Sequence, residues 1–462
     1  VIVIKSLSLC VRYILVSYFI LFFGFLFPIL VTGLTFNILT TALYSLSLFV
    51  VFRIVRIIVS RDVKLLELTF YAFTYIFLVI APLVQVSKGW FPLGYRHYTD
   101  GEIIKTISII MLGILGYEIG LNVGNKTKVT INDNYSNKNF KFIFAISIIC
   151  MFFAILKFGG ISNLGKDRTS IDTSYSLIYN SLLRVPIYIT FMFCLLDFKR
   201  KKHNHDKIKG KHYILLILLL ILNLIGSNPF YSARYWFGAV FISVILVFIK
   251  WKRNTLTYII YATLLGFFII FPYADVSRSG DKFSFGMSVI VNNLLVGDFD
   301  AFQQIMNISA YTSTFGIGFG RQFIGVLFFF VPRTIWLNKP IGTGTIIGES
   351  LGYINTNISA PLWSEFQINF GLIGVFVLFA LYGILTAKLE KGYIKTRNQI
   401  NFYQIFVPFF SFYQFFILRG SLISCFASLI PCLLCIWIGL KPNILKRNNK
   451  VKIYNNKAIE NQ

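Results

Sequence analysis

The chain has 462 residues, 56% of them hydrophobic, and carries 44 Lys and Arg against 18 Asp and Glu, a formal net charge of +26. A soluble globular chain must cover its surface with polar groups, and a mean hydropathy of +0.71 excludes that class. Apolar runs of membrane-spanning length recur, and most Lys and Arg lie in the short segments between them, where they set orientation and attract anionic lipid rather than nucleic acid.

Lys5 and Arg12 precede a first span over 11–32, which places the N-terminus in the cytoplasm. That run is long and has no clear cleavage site, so it reads as a span and not a signal peptide. A second span over 34–59 ends in Arg53, Arg56 and Arg61. A third, 66–86, emits an outer loop with Lys88, Trp90, Tyr95, Arg96, His97 and Tyr98. A fourth runs to Asn122, and Lys126, Lys128 and Lys138 mark the next loop as cytoplasmic. The fifth, 140–158, leads to an outer loop with Lys166, Asp167, Arg168 and Asp172; the sixth, 176–198, ends in Lys199-Arg200-Lys201-Lys202. The seventh rises to Ser227-Asn228-Pro229, the eighth descends over 235–250, and the ninth, 255–274, returns outward. Spans ten to twelve are expected over 372–388, 402–418 and up to Leu440, followed by a basic tail.

The predicted fold class is an all-α polytopic membrane protein of about twelve transmembrane helices with a large periplasmic, partly re-entrant segment. Its divisions are a bundle over 1–274, the outer segment over 275–371, C-terminal spans over 372–440 and a cytoplasmic tail over 441–462. In the outer segment, 325–332 is apolar but too short to cross. The stretch 298–313 reads as an amphipathic helix lying on the membrane or on the spans. All six cysteines lie in or beside apolar runs, so no disulfide framework is expected, and the C-x-x-C of Cys432 and Cys435 reads as helix packing.

The outer face is basic where orientation bias should deplete such residues. Lys88, Arg96, Lys166, Arg168, Arg234, Arg278, Lys282, Arg321, Arg333, Lys339 and Arg419 all map there. Each has two readings: pairing with an acid such as Asp167, Asp275, Asp281, Glu349 or Glu365, or service to a shared anionic ligand. For the group as a whole the ligand is favoured. In Arg333 to Thr345, two cations precede Gly342-Thr343-Gly344-Thr345. Backbone N–H groups there can cradle phosphate oxygens, or the glycines can simply serve the turn. Asp298-Phe299-Asp300 reads as solvated acids on the amphipathic helix. Glu365, after Pro361 and beside Trp363 and Asn369, reads either as a base or as the partner of an outer arginine. The charges collect at outer loops and span ends, not along the middle of spans. The outer aromatics, among them Trp90, Tyr98, Trp336 and Trp363, read mainly as interface anchors. His203, His205 and His212 fall in the basic inner loop, and no metal-spaced cluster occurs.

On the stretch Asn228-Pro229-Phe230-Tyr231-Ser232-Ala233-Arg234-Tyr235-Trp236-Phe237-Gly238, the Arg333 to Gly344 segment (an R-x10-G pattern) and the Arg419-Gly420-Ser421 turn, the chain resembles the O-antigen polymerase (Wzy) family over nearly its whole length. The resemblance implies a GT-C-like architecture in the bacterial inner membrane. It implies an undecaprenyl-diphosphate-linked oligosaccharide and polysaccharide as substrates, a polysaccharide co-polymerase that regulates chain length as partner, and an active site facing the periplasm. No cofactor, metal or nucleic acid is expected. In that frame Glu365 is the expected base. Arg333, Arg278, Arg168, Arg234, Lys339, Gly342, Gly344 and Arg419 are expected to bind the diphosphate. The rival enzyme is an O-antigen ligase, whose pattern features a histidine that 275–371 lacks; the rival of another class is a lipid-linked oligosaccharide flippase.

Overall fold

The computed structural model describes residues 2–33, 35–60, 62–94, 96–129, 137–157, 184–227, 234–273, 286–331 and 333–440, without the side chains of 2–9, 137–139, 154, 157 and 234. Every regular element among these residues is helical. Among the described residues seven helices are long and apolar enough to cross a membrane, so the protein is a polytopic, membrane-embedded one. They are α1 (Cys10–Thr32), α2 (Ile38–Val59), α3 (Leu65–Lys88), α4 (Asp100–Lys126), α9 (Thr255–Tyr273), α14 (Leu362–Lys395) and α16 (Leu422–Leu440). At the other expected spans lie α5 (Asn137–Lys157), α6 (Val185–His203), α7 (Gly210–Gly226), α8 (Arg234–Phe248) and α15 (Phe402–Arg419). Between α9 and α14 come α10 (Met287–Asn293), α11 (Ala301–Phe315), α12 (Arg321–Leu327) and α13 (Thr343–Ser350).

Local sequence explains the helix ends. Asn37 and Thr99 each form a reciprocal capping box, with Thr40 and Glu102, that satisfies the first free N–H groups of α2 and α4. α3 is the central helix and is almost wholly buried, because its run of Phe, Tyr, Leu and Ile is apolar on every side. The tightest pair is α4 with α14. A Cβ on Gly116 or Gly120 would collide with the backbone carbonyls of Phe376 and Ala380, and one on Gly383 with that of Tyr117. Small residues let the two backbones touch, the arrangement that substitutes for a hydrophobic drive between helices in lipid. Helices α1, α3 and α9 each contain a π-helical stretch, and Phe23, Tyr75 and Phe268 from those stretches or their edges pack together, with Tyr75 Oη donating to the Phe23 carbonyl at 2.5 Å.

Contacts sort the segments into two ends. At one, Arg12 donates to the carbonyls of Ile58 (3.0 Å) and Val59, capping α2. Lys391 reaches the carbonyls of Gly124 and Thr127, capping α4. Lys199 donates to the Val247 carbonyl at 2.6 Å, and Trp251 packs on Tyr393. These cations satisfy helix carbonyls and complement the negative helix ends. This basic end gathers the described segments whose lysines and arginines marked them as cytoplasmic in the sequence. The opposite end holds α10 to α13 and the turn between α15 and α16.

Two expectations for the outer segment need correction. Helix α11 is not a surface amphipathic helix: 301–309 are buried all round, including Gln303, Gln304, Asn307 and Ser309. Gln303 bonds Tyr98 and the Leu93 N–H, and Asn307 bonds Gln304, Tyr98 and Tyr353, so these buried amides need no solvent. Trp363 is not an interface anchor. It is fully buried, packs its ring tilted against Phe379 with centroids 4.3 Å apart, and donates to the Ile110 carbonyl. The short apolar stretch before residue 332 forms α12 and a turn, and Leu327, Phe328 and Phe330 stay exposed.

Candidate functional site

The turn Arg419-Gly420-Ser421 organises the opposite end. Arg419 donates through Nη2 to the Gly297 carbonyl (2.9 Å) and to Asp300 Oδ1 (3.3 Å), with Asp298 at 3.8 Å. The second Asp300 oxygen accepts the Ser359 N–H, and the Ala360 N–H donates to the Arg419 carbonyl. Asp298-Phe299-Asp300 is therefore not a pair of solvated acids. Asp300 is buried, and burial raises its carboxyl above the ordinary value while Arg419 opposes that rise. The motif is an arginine clamp.

Glu365 lies on the other side of the same turn. Its Oε1 accepts the Leu422 N–H at the start of α16 (3.0 Å), and its Oε2 accepts the Thr343 hydroxyl in the first turn of α13 (2.7 Å). A carboxylate placed at helix N-termini is stabilised by their free N–H groups. The alternative of an arginine partner does not hold among the described residues: no ion pair reaches Glu365, which is 1% exposed. Its own helix breaks at Gly371, where φ is +67° and ψ −161°, a conformation that only glycine adopts at low cost. The break lets 362–370 turn independently of the span that follows. Asn369, just before it, receives the Gln322 and Phe323 N–H groups through Oδ1 and so caps α12.

The loop before α13 holds Arg333 and Lys339. Arg333 donates to the Lys339 carbonyl (2.9 Å), and Lys339 donates to the carbonyls of Phe329 (2.6 Å) and Val331 (2.8 Å). Neither has a carboxylate within ion-pair reach among the described residues. Burial and the neighbouring Arg333 both lower the Lys339 ammonium from its ordinary value. The side chains around them face outward, with Ile335 77% and Leu337 82% exposed. Gly344 is a contact glycine: a Cβ there would strike the Ile358 carbonyl, while Gly342 packs against Ser421.

Next to this lies a network of amides and phenols. Tyr98 Oη donates to Asn307 and receives Gln303, and Asn307 donates to Tyr353. Burial raises both tyrosine hydroxyls, so they remain neutral donors. Arg96 pairs with Glu102 and covers the Tyr98 ring, so the acid-pairing reading applies to it.

Of the residues singled out from the sequence, Glu365, Gly342, Gly344 and Arg419 meet around the 419–421 turn, and Thr343 joins them to the Arg333–Lys339 loop. Arg168 and Arg278 lie outside the described residues, as does the side chain of Arg234, whose backbone opens α8. Two features escaped the sequence reading. Arg184 is buried at the start of α6, its guanidinium 5.2 Å from the Trp236 ring centre. And charges do lie inside spans: Arg53 of α2 pairs with Glu67 of α3 (3.0 Å) and Glu118 of α4 (2.5 Å), Lys64 pairs with Glu67, and Glu390 of α14 accepts the Glu67 N–H. Isolated acids within apolar runs were the available signal.

Compared with known families, curated proteins and solved structures, the chain matches none.

Proposed function

We propose that this protein is a membrane glycosyltransferase that polymerises lipid-linked saccharide repeat units, moving a growing chain from undecaprenyl diphosphate to the sugar end of a new unit. The observation that carries the reading is the Arg333–Lys339 loop. Two cations without acidic partners among the described residues stand beside exposed Leu327, Phe330, Ile335 and Leu337. An amphiphilic anion, a diphosphate on an isoprenoid, suits such a surface: the guanidinium retains donors for phosphate oxygens, and the apolar side chains suit the lipid. In the reaction the acceptor hydroxyl forms a bond to the anomeric carbon, the bond to the diphosphate oxygen breaks, and the hydroxyl proton passes to a base. Glu365 is the base in this reading. Thr343 links it to the cationic loop, and opening of the Thr343 contact would expose the carboxylate. Arg278, Arg168, Arg234 and Arg419 complete the proposed cationic surface, which would face the periplasm.

A strain deleted for the gene and complemented with variants tests this through the banding of its surface polysaccharide. Arg333→Ala and Arg278→Ala should each reduce the ladder to a single repeat on the lipid core. An unchanged ladder length and yield in both would remove the diphosphate assignment. Glu365→Gln should abolish the ladder while the protein still accumulates in the membrane, because a positioned general base contributes about 10²–10⁴-fold. The charged cluster within α2, α3, α4 and α14 is the one observation favouring a flippase. The deletion separates the readings: a lost flippase traps units inside, a lost ligase leaves the core bare, and a lost polymerase leaves one repeat.

A further inference from the structure

The Arg53 cluster borders a cavity of about 260 Å³ at the basic end, between α2, α3 and α4. Arg53, Arg56, Lys64, Glu67, Glu118 and the amides of Asn122 and Asn125 line it. Its cations are unequal. Arg53 is held by Glu67 and Glu118, and Lys64 by Glu67. Arg56 is exposed and has no ion pair among the described residues. Glu390 stands behind Glu67, bonded to its backbone N–H and away from the cavity wall. The wall therefore presents three cations against two carboxylates, with the unmatched cation at the edge. The helix faces beside that edge are apolar and exposed: Phe52 and Val59 flank Arg56 on α2, and Ile119 and Val123 flank Asn122 on α4.

We propose that this cavity binds one phosphate-bearing monoanion, the phosphodiester headgroup of an anionic phospholipid, with Arg56 and Lys64 on the phosphate oxygens and the Asn122 and Asn125 amides as further donors. Charge excess at the wall selects a single negative charge, and the carboxylates behind it disfavour a more highly charged anion. The apolar flanks give the acyl chains a place to lie while the headgroup enters. Lys and Arg at helix ends commonly meet lipid phosphate, but a walled cavity with amide donors holds one lipid in place where a bare basic surface holds a diffuse layer. This site is separate from the proposed saccharide site at the opposite end and does not depend on it.

The test uses the full-length protein in phosphatidylcholine nanodiscs, with native mass spectrometry and thermal unfolding as readouts. Adding phosphatidylglycerol should leave one retained lipid per chain and raise the unfolding temperature. Arg56→Gln should weaken retention about tenfold, the effect of one charge-assisted contact of roughly 1.4 kcal/mol. Arg56 touches no partner among the described residues, so the variant's fold in phosphatidylcholine should match the wild type. Lys211→Gln, an exposed lysine elsewhere at the basic end, should retain lipid normally. Equal retention by wild type and Arg56→Gln, or equal loss in Arg56→Gln and Lys211→Gln, would overturn the site. A parallel arm adds inorganic phosphate and glycerophosphoglycerol without anionic lipid. Stabilisation by these that matches phosphatidylglycerol and disappears in Arg56→Gln would overturn the lipid as occupant and assign the cavity to a free phosphate.

Discussion

The two ends of the bundle treat charge in opposite ways. At the basic end these cations are consumed: buried Arg53 by two glutamates, buried Arg12 and half-buried Lys391 by helix carbonyls. At the opposite end Arg419 is clamped by Asp300, but Arg333 and Lys339 hold only the carbonyls of their own loop. A charge inside or beside hydrocarbon persists when it is paired or when it faces something wet or anionic. The first condition describes Arg53, Arg12 and Lys391 at the basic end, and the second describes the loop. The difference teaches which cations hold the fold together and which are available to a ligand, although both kinds look alike in a charge map.

Breaking the Arg53 cluster should have the largest effect. Arg53→Leu leaves buried Glu67 with Lys64 alone and half-buried Glu118 without its cation, and should cost about 3 kcal/mol, read as lost monodisperse protein in detergent. Adding Glu67→Leu and Glu118→Leu to it should recover most of the loss, since an apolar replacement of a whole buried network is far milder than half of one. Full stability of the single variant would show that the cluster is not structural. Asp300→Ala should come next, at about 2 kcal/mol, because it strands Arg419 and the Ser359 N–H while leaving the guanidinium partly solvated.

Arg333→Ala and Lys339→Ala should each cost under about 1 kcal/mol, since each removes only loop hydrogen bonds. Thermal unfolding beside the polysaccharide ladder sharpens the comparison: the loop variants should lose polymer without losing fold, and the cluster variants both together. Arg96→Ala, whose partly exposed pair with Glu102 is screened, should change stability by about 0.5 kcal/mol or less. The smallest effect is in pH. The raised Asp300 carboxyl binds a proton more tightly folded than unfolded. Its contribution to stability is complete below 3.8, the ordinary value, and is lost as pH rises through the raised folded value. Asp300→Asn should flatten unfolding temperature against pH in that window; an unchanged slope would point to another group.

Much of the architecture was legible in the order of residues. The apolar runs are long, their basic flanks alternate, and hydrogen bonding within a helix satisfies the backbone in lipid without help from elsewhere. Those are local properties, so helices appear where the runs are, and the described basic segments gather at one end. Glu365, Gly342 and the 419–421 turn were legible as unusual residues in an apolar chain, but not their relation. The pairing of Arg419 with Asp300 spans 119 residues of sequence, and the Gln85 contact with the Leu294 carbonyl spans 209.

The sequence by itself determined membrane residence, helicity and the grouping of basic loops, because each follows from hydropathy and charge read over one continuous run of about 20 residues and its flanks. Only the tertiary structure decided that α11 is buried on its polar side, that Trp363 belongs to the core, and that Arg53 meets two other helices. Burial and pairing depend on what the chain folds against, and a charged side chain reads the same in sequence whether a carboxylate 3 Å away neutralises it or none does.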